Sequence, residues 1–317
     1  MNNPLKEFFK KRDGVFAIQL FANEKLTFSD FDEQHLVLRM AIKDLWKSKP
    51  VYFQADPFLF VKDDCLYLFY EEQKGFLPGR IKMIKTQDLI SWSDPIVVLQ
   101  EKFHLSFPYV FEDDGKIYMI PESCENQSVR LYEANDDLTS FVFVRTLLKQ
   151  EDRTGPNSNF VDSHIYKKNG VYYLFTSYRS DWKTRQELFT SSDLLYSDFV
   201  SHPCSPITVN NKYGRNGGSI IDLNGLVLRV SQDCSVEYGT NVSLHEIIAI
   251  DKDLYKETIF VDDIFSNNPL FPDGGHQLNI VKFLGNYIYG TDYRKKKWTW
   301  YHLYYSIMIA FGIYKRK

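Results

Sequence analysis

Apolar and polar positions alternate through residues 55–71, ADPFLFVKDDCLYLFYE, in two runs split by the polar pair Asp63-Asp64. A period of two marks a strand with one buried face, and a short polar break between two such runs predicts a hairpin. With Asp56 as position 0, Phe60 falls at +4, the turn residue Asp64 at +8, Tyr67 at +11 and Glu71 at +15. The frame recurs four times: Phe107, Phe111, Gly115, Tyr118, Glu122; Asp162, Tyr166, Gly170, Tyr173, Ser177; Gly217, Ile221, Gly225, Leu228, Gln232; and Gln277, Val281, Gly285, Ile288, Asp292. Successive starts lie 51, 55, 55 and 60 residues apart. A strand–turn–strand unit repeating about every 50 residues predicts propeller blades. The glycines at +8 supply the positive φ that a tight hairpin needs.

In a hairpin the start of the first strand and the end of the second share one edge. The frame therefore sets Asp56 beside Glu71, Phe107 beside Glu122, Asp162 beside Ser177, Gly217 beside Gln232 and Gln277 beside Asp292. If the first strands line the axis, one mouth of the channel gathers Asp56, Glu71, Glu122, Asp162 and Asp292, with Asp233 and His276 one step off the frame. The fold expected is all-β: a five-bladed β-propeller over residues 14–297.

A third strand follows each of the first four hairpins, at 80–85, 128–133, 186–191 and 241–250. Turn-rich stretches such as TQDLISWSD and EANDDLTSF then lead to outer strands. Residues 1–13 form a loose end. Residues 14–23, GVFAIQLFAN, predict a strand that completes the last blade and closes the ring, which removes open sheet edges. The segment VLRMAIKDLW fits a strand or a short helix. At the other end, 298–314 (WTWYHLYYSIMIAFGIY) lies between KKK and KRK. It fits the third strand of blade five, or an interfacial segment with aromatics among headgroups and lysines on phosphates.

Composition changes the picture in three places. A net charge of −3 gives no reason to expect a nucleic-acid partner. The 25 Phe, 21 Tyr and 5 Trp suit strands and also surfaces that stack sugar rings. Four dispersed cysteines without a CxxC pair are expected to be free thiols of a reducing compartment. The N-terminus lacks the apolar core of a signal peptide, and no run reaches the roughly 18 apolar residues of a spanning helix. A cytoplasmic protein, peripheral to the inner face of a membrane through 298–317, is the expectation.

Acidic groups converging on a concave site point to sugar chemistry. Asp56 is the candidate general base or nucleophile, Asp162 a modulating carboxylate, and Glu122, beside the apolar MIP, a candidate proton donor. Glu71 shares that geometry and is an alternative acid or a binding residue. His104, His276, Asp233, Asp292 and Gln232 are candidate substrate contacts. Arg215 and Arg229 are candidate forks for a carboxylate or phosphate. GRNGG lacks the ending of a phosphate loop, and no HxH or HExxH spacing occurs, so no cofactor or metal is expected; calcium on the carboxylate ring is the alternative.

The order ADPFLF…YE, HLSFPYVFEDDGKIYMIPES, VDSHIYKKNGVYYLF, QDCSVEYG and GGHQL resembles the N-terminal propeller domain of plant glucosamine inositolphosphorylceramide transferases. The resemblance spans roughly residues 50–295, and similar domains occur in bacterial proteins linked to surface-polysaccharide assembly. In the plant proteins a glycosyltransferase domain follows. None follows in this sequence, so transferase activity is not expected to pass over directly. More distantly the layout is similar to five-bladed glycoside hydrolases of the arabinanase–xylosidase type. That likeness implies a base at Asp56 and an orienting aspartate at Asp162. The third carboxylate of that pattern is missing before Gly217, which leaves Glu122, Glu71 or Glu237 as the acid. Two functions follow as expectations: glycosyl transfer or hydrolysis on a surface glycan or its precursor, and non-catalytic glycan binding alongside a separate glycosyltransferase. The implied partners are a sugar, a sugar nucleotide or a lipid-linked glycan.

Overall fold

The computed structural model describes residues 13–41, 53–74, 77–150, 159–180 and 183–297. Five antiparallel sheets form the blades of a β-propeller. Strands β1 (Asp13–Asn23) and β2 (Leu36–Arg39) belong to the last blade. Blade one is β3 (Phe53–Lys62), β4 (Cys65–Gln73), β5 (Arg80–Thr86) and β6 (Ile96–Leu99). Blade two is β7 (Ser106–Asp113), β8 (Lys116–Glu122), β9 (Ser128–Ala134) and β10 (Phe141–Lys149). Blade three has β11 (Asn159–Lys168), β12 (Val171–Ser180) and β13 (Lys183–Ser191), with the short β14 (Val200–Ser201) and β15 (Thr208–Val209) both on β13. Blade four splits its inner strand into β16 (Arg215–Asn216) and β17 (Ile221–Leu223), followed by β18 (Leu226–Asp233), β19 (Asn241–Ile250) and β20 (Tyr255–Val261). Blade five closes the ring as β21 (Leu278–Phe283), β22 (Asn286–Lys297), β1 and β2.

The predicted N-terminal closure is therefore present. Gly14 to Asn23 pair with Lys296 to Tyr287 of β22 in continuous register. The third position of blade five belongs to β1, which takes the place considered for 298–314; that segment lies outside the described residues, as do 1–12. Within VLRMAIKDLW, Leu36–Arg39 is strand and 42–52 are outside the described residues.

Each hairpin turn has positive φ at both central residues: Asp63 and Asp64, Asp114 and Gly115, Asn169 and Gly170, Asn224 and Gly225, Leu284 and Gly285. This is the mirror-image turn whose twist matches the flanking strands. Apolar faces of adjacent blades pack against each other. Between blades five and one, Ile18, Leu20 and Ile288 meet Leu59, Leu66 and Leu68. Between blades three and four, Phe175 and Leu188 meet Ile247 and Ile250. These seams fix the angle between blades and so the diameter of the mouth.

A second regularity sits at frame position 0. Asp56, Phe107 and Asp162 have φ of 54°, 45° and 52°, and each marks a break in register with the returning strand. These are β-bulges, which turn a side chain out of the alternation and re-aim it. A left-handed conformation at a non-glycine residue costs on the order of 1–3 kcal/mol and collects at functional positions. Blade four uses Gly217 and Gly218 at this level; a Cβ on Gly218 would stand 2.0 Å from the Leu278 carbonyl oxygen.

Candidate functional site

The bulges deliver the predicted carboxylates to one mouth, where they sort into three contiguous groups. In the first, Asp56 Oδ2 accepts the Phe107 N–H (2.9 Å) and Oδ1 lies 3.0 Å from His276 Nε2. The other ring nitrogen of His276 is 2.7 Å from Asp292 Oδ2, off the line of a straight N–H bond, so this contact is an ion pair. Asp292 also accepts the backbone N–H of His276 (2.8 Å) and that of Asp56 (3.3 Å). Burial opposes charge on His276, but Asp292 and Asp56 outweigh it and raise the imidazole well above its ordinary value. The result is a buried carboxylate–imidazolium–carboxylate stack that staples blade five to blade one.

These three residues are the group, among the described residues, whose ligand atoms come close enough to hold a metal ion, all within 4.8 Å of one another.

The second group joins blades two, three and four. Arg215 Nε donates to Asp162 Oδ2 at 2.6 Å, and Nη2 lies 3.7 Å from Glu122 Oε2. Asn216 Nδ2 donates to the Asp162 carbonyl (2.7 Å), while Gln232 Nε2 reaches the Asn216 carbonyl (2.8 Å) and Asp162 Oδ2 (3.5 Å). Burial, followed by the Asp162 charge and a hydrogen bond to Asp162, lifts the Glu122 carboxyl to about 8, with Arg215 opposing. Burial and the neighbouring Asp162 thus favour the proton-bearing form of Glu122. The thiols of Cys124 and Cys234 donate to Glu122 (3.1 Å) and Gln232 (3.4 Å), and burial keeps both protonated.

The third group is Glu71 with His104, Oε1 to Nε2 at 3.1 Å. Burial raises the Glu71 carboxyl; His104 partly offsets this and Asp56 adds to it. Burial depresses His104, but the bond to Glu71 and the charges of Glu71, Glu122 and Glu125 lift it to about 9. The Gly79 amide, however, donates to His104 Nδ1 at 3.0 Å. Backbone geometry holds that hydrogen in place, so the neutral tautomer with its proton on Nε2 fits this contact. Gly79 is required by close approach: a Cβ there would lie 2.6 Å from the Leu105 carbonyl oxygen and 2.7 Å from His104 Cε1. Gly79→Ala is expected to force His104 off Glu71 at a cost of about 1–3 kcal/mol, the range for overpacking, measurable by chemical denaturation.

One expected contact, Arg229, falls elsewhere. Arg229 is fully buried and forms a bidentate pair with Glu257, at 2.7 and 2.6 Å, with a third bond to the Tyr213 carbonyl. It sits three residues, roughly 10 Å of strand, below Gln232, too far down β18 to reach the mouth. Asp233 Oδ1 accepts the Ser235 amide at 2.7 Å and so shapes the loop after β18. Glu237, an alternative acid, is paired with Arg294 and Lys296 at 3.1 and 2.8 Å, and those cations hold its carboxyl below the usual range.

Tyr238 and Phe16 were not singled out by the frame. The Tyr238 ring lies 4.9 Å from the Arg215 guanidinium and 5.0 Å from the His276 ring; Phe16 packs 4.4 Å from His276. Tyr238 stands in the QDCSVEYG motif, which was the available signal; Phe16 carried none, because its partners are more than 200 residues away.

Residues 34–268 match the family described as "Glucosamine inositolphosphorylceramide transferase 1, N-terminal". The chain belongs to this family. The Arabidopsis thaliana glucosamine inositolphosphorylceramide transferase 1 is 35% identical over 217 residues, covering 66% of this chain and 27% of that protein. The Oryza sativa subsp. japonica protein of the same name is 31% identical over 216 residues, covering 66% and 28%. The chain thus spans little more than a quarter of the length of these relatives. Among solved structures, Zg3597, a family 117 glycoside hydrolase produced by Zobellia galactanivorans, superposes with a TM-score of 0.53 at 12% identity over 96% of this chain and all of that one. The Bombyx mori GH32 β-fructofuranosidase BmSUC1, as its D63A mutant in complex with sucrose, gives 0.54 at 15% identity over 75% and 55%. Identities this low establish the shared propeller.

Proposed function

We propose that this domain of the glucosamine inositolphosphorylceramide transferase 1 family binds a sugar at the mouth and performs acid–base chemistry on it, with Glu122 as the acid. The observation that carries the reading is the Glu122 carboxyl set against Arg215, Asp162 and the Cys124 thiol, where burial and the Asp162 charge raise it to about 8. A protonated acid at neutral pH is what departure of a glycosyl oxygen requires. Asp162 and Arg215 tune that proton. Asp56, oriented by His276 and the Phe107 amide, supplies the base. The activity for which the relatives are named favours a sugar attached to a lipid-linked inositol phosphate, with transfer or hydrolysis as the outcome. A membrane surface near residues 298–317 and a separate glycosyltransferase complete the proposed setting.

One observation favours a second reading, glycan binding without bond cleavage: Asp56, Asp162, Glu71 and Asp292 each already face a cation or a histidine. Glu122→Gln separates the two readings, because the amide keeps the shape and loses the transferable proton. Turnover of a panel of p-nitrophenyl glycosides and glycosylated inositol phosphates is expected to fall about 10²- to 10⁴-fold, with affinity held within about threefold. The turnover of the wild-type protein is expected to decline above pH 8, as Glu122 loses its proton. Wild-type binding with no turnover of any panel member would leave the second reading standing.

A further inference from the structure

We propose that Tyr238 is a preformed platform for a sugar ring, stacking through its open face and donating its hydroxyl to a ring substituent. This rests on the carbohydrate reading and adds the residue that positions the substrate. Tyr238 is 43% exposed, and its ring stands against Arg215 and His276 of the mouth. A ring that is packed on those two groups and still exposed leaves surface free for a ligand to stack on.

The ring is held on its inner side. The Arg215 guanidinium lies over it at 4.9 Å, His276 meets it at 5.0 Å with the planes 60° apart, and Phe16 meets it edge-on at 5.9 Å. It therefore touches the cation of both main groups of the mouth. The strap carrying it is equally constrained. Arg294 donates to the Tyr238 carbonyl and to Glu237, and its Nε donates to the Asp273 carbonyl at 2.7 Å. Gly239, at φ +69°, lets the strap lie on the site: a Cβ there would stand 3.0 Å from Phe16 and 3.1 Å from His276 Cβ.

A rigid aromatic loses little conformational entropy when a ligand lands on it, which is why such residues anchor binding sites. Its face suits the C–H side of a pyranose, and its hydroxyl suits the oxygen side. Burial raises the phenol well above its ordinary value, so it remains a donor throughout the physiological range.

Saturation-transfer difference NMR with methyl glycosides of glucose, glucosamine and mannose tests the assignment. Wild-type protein is expected to transfer saturation to the ring protons of at least one. Tyr238→Leu should weaken that glycoside about tenfold, Tyr238→Phe about threefold, and Tyr238→Trp should retain the ring-proton pattern. Thermal melting of each variant, on the same samples, separates loss of the platform from loss of the fold. Equal affinity in wild type and a folded Tyr238→Leu protein overturns the platform while leaving the carbohydrate reading intact. No transfer to any glycoside from wild-type protein overturns both.

Discussion

Replacing His276 with leucine is expected to destabilise the propeller by about 3–5 kcal/mol at pH 6, because it leaves two buried carboxylates facing each other without their cation. The contacts removed are those to Asp56 at 3.0 Å and Asp292 at 2.7 Å. The pH dependence carries a sign. The imidazole titrates far higher in the folded protein than unfolded, where its value is about 6.5. Its contribution is therefore complete below about pH 6.5 and is lost as pH rises toward the folded value. Urea unfolding of wild type and His276→Leu at pH 6 and pH 9 should give a gap that narrows at the higher pH. A gap that widens would mean the ring is neutral, and the stapling of blade five to blade one would need another explanation.

Arg229→Met is expected to cost a similar amount, about 3–5 kcal/mol, by stranding Glu257. Burial pushes that carboxyl up, but Arg229 draws it down to about 2. A depressed carboxyl contributes stability above its unfolded value near 4.5, and this contribution fades as pH falls toward 2. The variant should therefore lose the extra acid resistance along with the stability. Arg229→Met/Glu257→Leu should recover most of the loss, since no buried charge is left alone. Because the pair lies below the mouth, glycan affinity of the folded single variant should match wild type. A selective loss of affinity with unchanged stability would return Arg229 to the binding site.

Both effects concern charges whose partners come from other blades, and here the sequence was legible only in part. The five hairpins were legible because alternation and turn chemistry are local. Asp63-Asp64, Asn169-Gly170 and the other turn pairs announce the mirror-image turn within two residues. Gly14 to Asn23 could be assigned to ring closure because an apolar strand outside five complete frames has one vacant place to go. The position of Asp56, Glu71, Glu122, Asp162 and Asp292 followed from the hairpin rule that strand start and strand end share an edge.

What each of those carboxylates touches was not legible. Arg215 and Arg229 stand 14 residues apart in one blade, and nothing local says that one faces the mouth and the other Glu257. Strand alternation would have needed the register of β16 against β18, which the split inner strand and its two glycines alter. The left-handed bulges at Asp56, Phe107 and Asp162 were equally hidden, because a lone aspartate or phenylalanine inside an alternating strand carries a far weaker signal for that conformation than a glycine or a polar turn pair does.

From the sequence alone came the number of blades, the turn types, the closing strand and the set of acids at one rim. The hairpins and their turns depend on residues within about 15 positions of one another, where chain connectivity already enforces proximity, and the closing strand, which pairs more than 250 positions away, was placed by the gap the repeat leaves for it. Tertiary structure decided which acid meets which cation, which carboxyl burial raises, and which tyrosine stands beside them. Those properties arise from burial and from charges brought together across blade seams, such as His276 between Asp56 and Asp292, whose chain separations exceed 200 residues in one case and span 16 in the other. Electrostatic energy depends on distance and dielectric in the folded molecule, and neither quantity exists until the ring has closed.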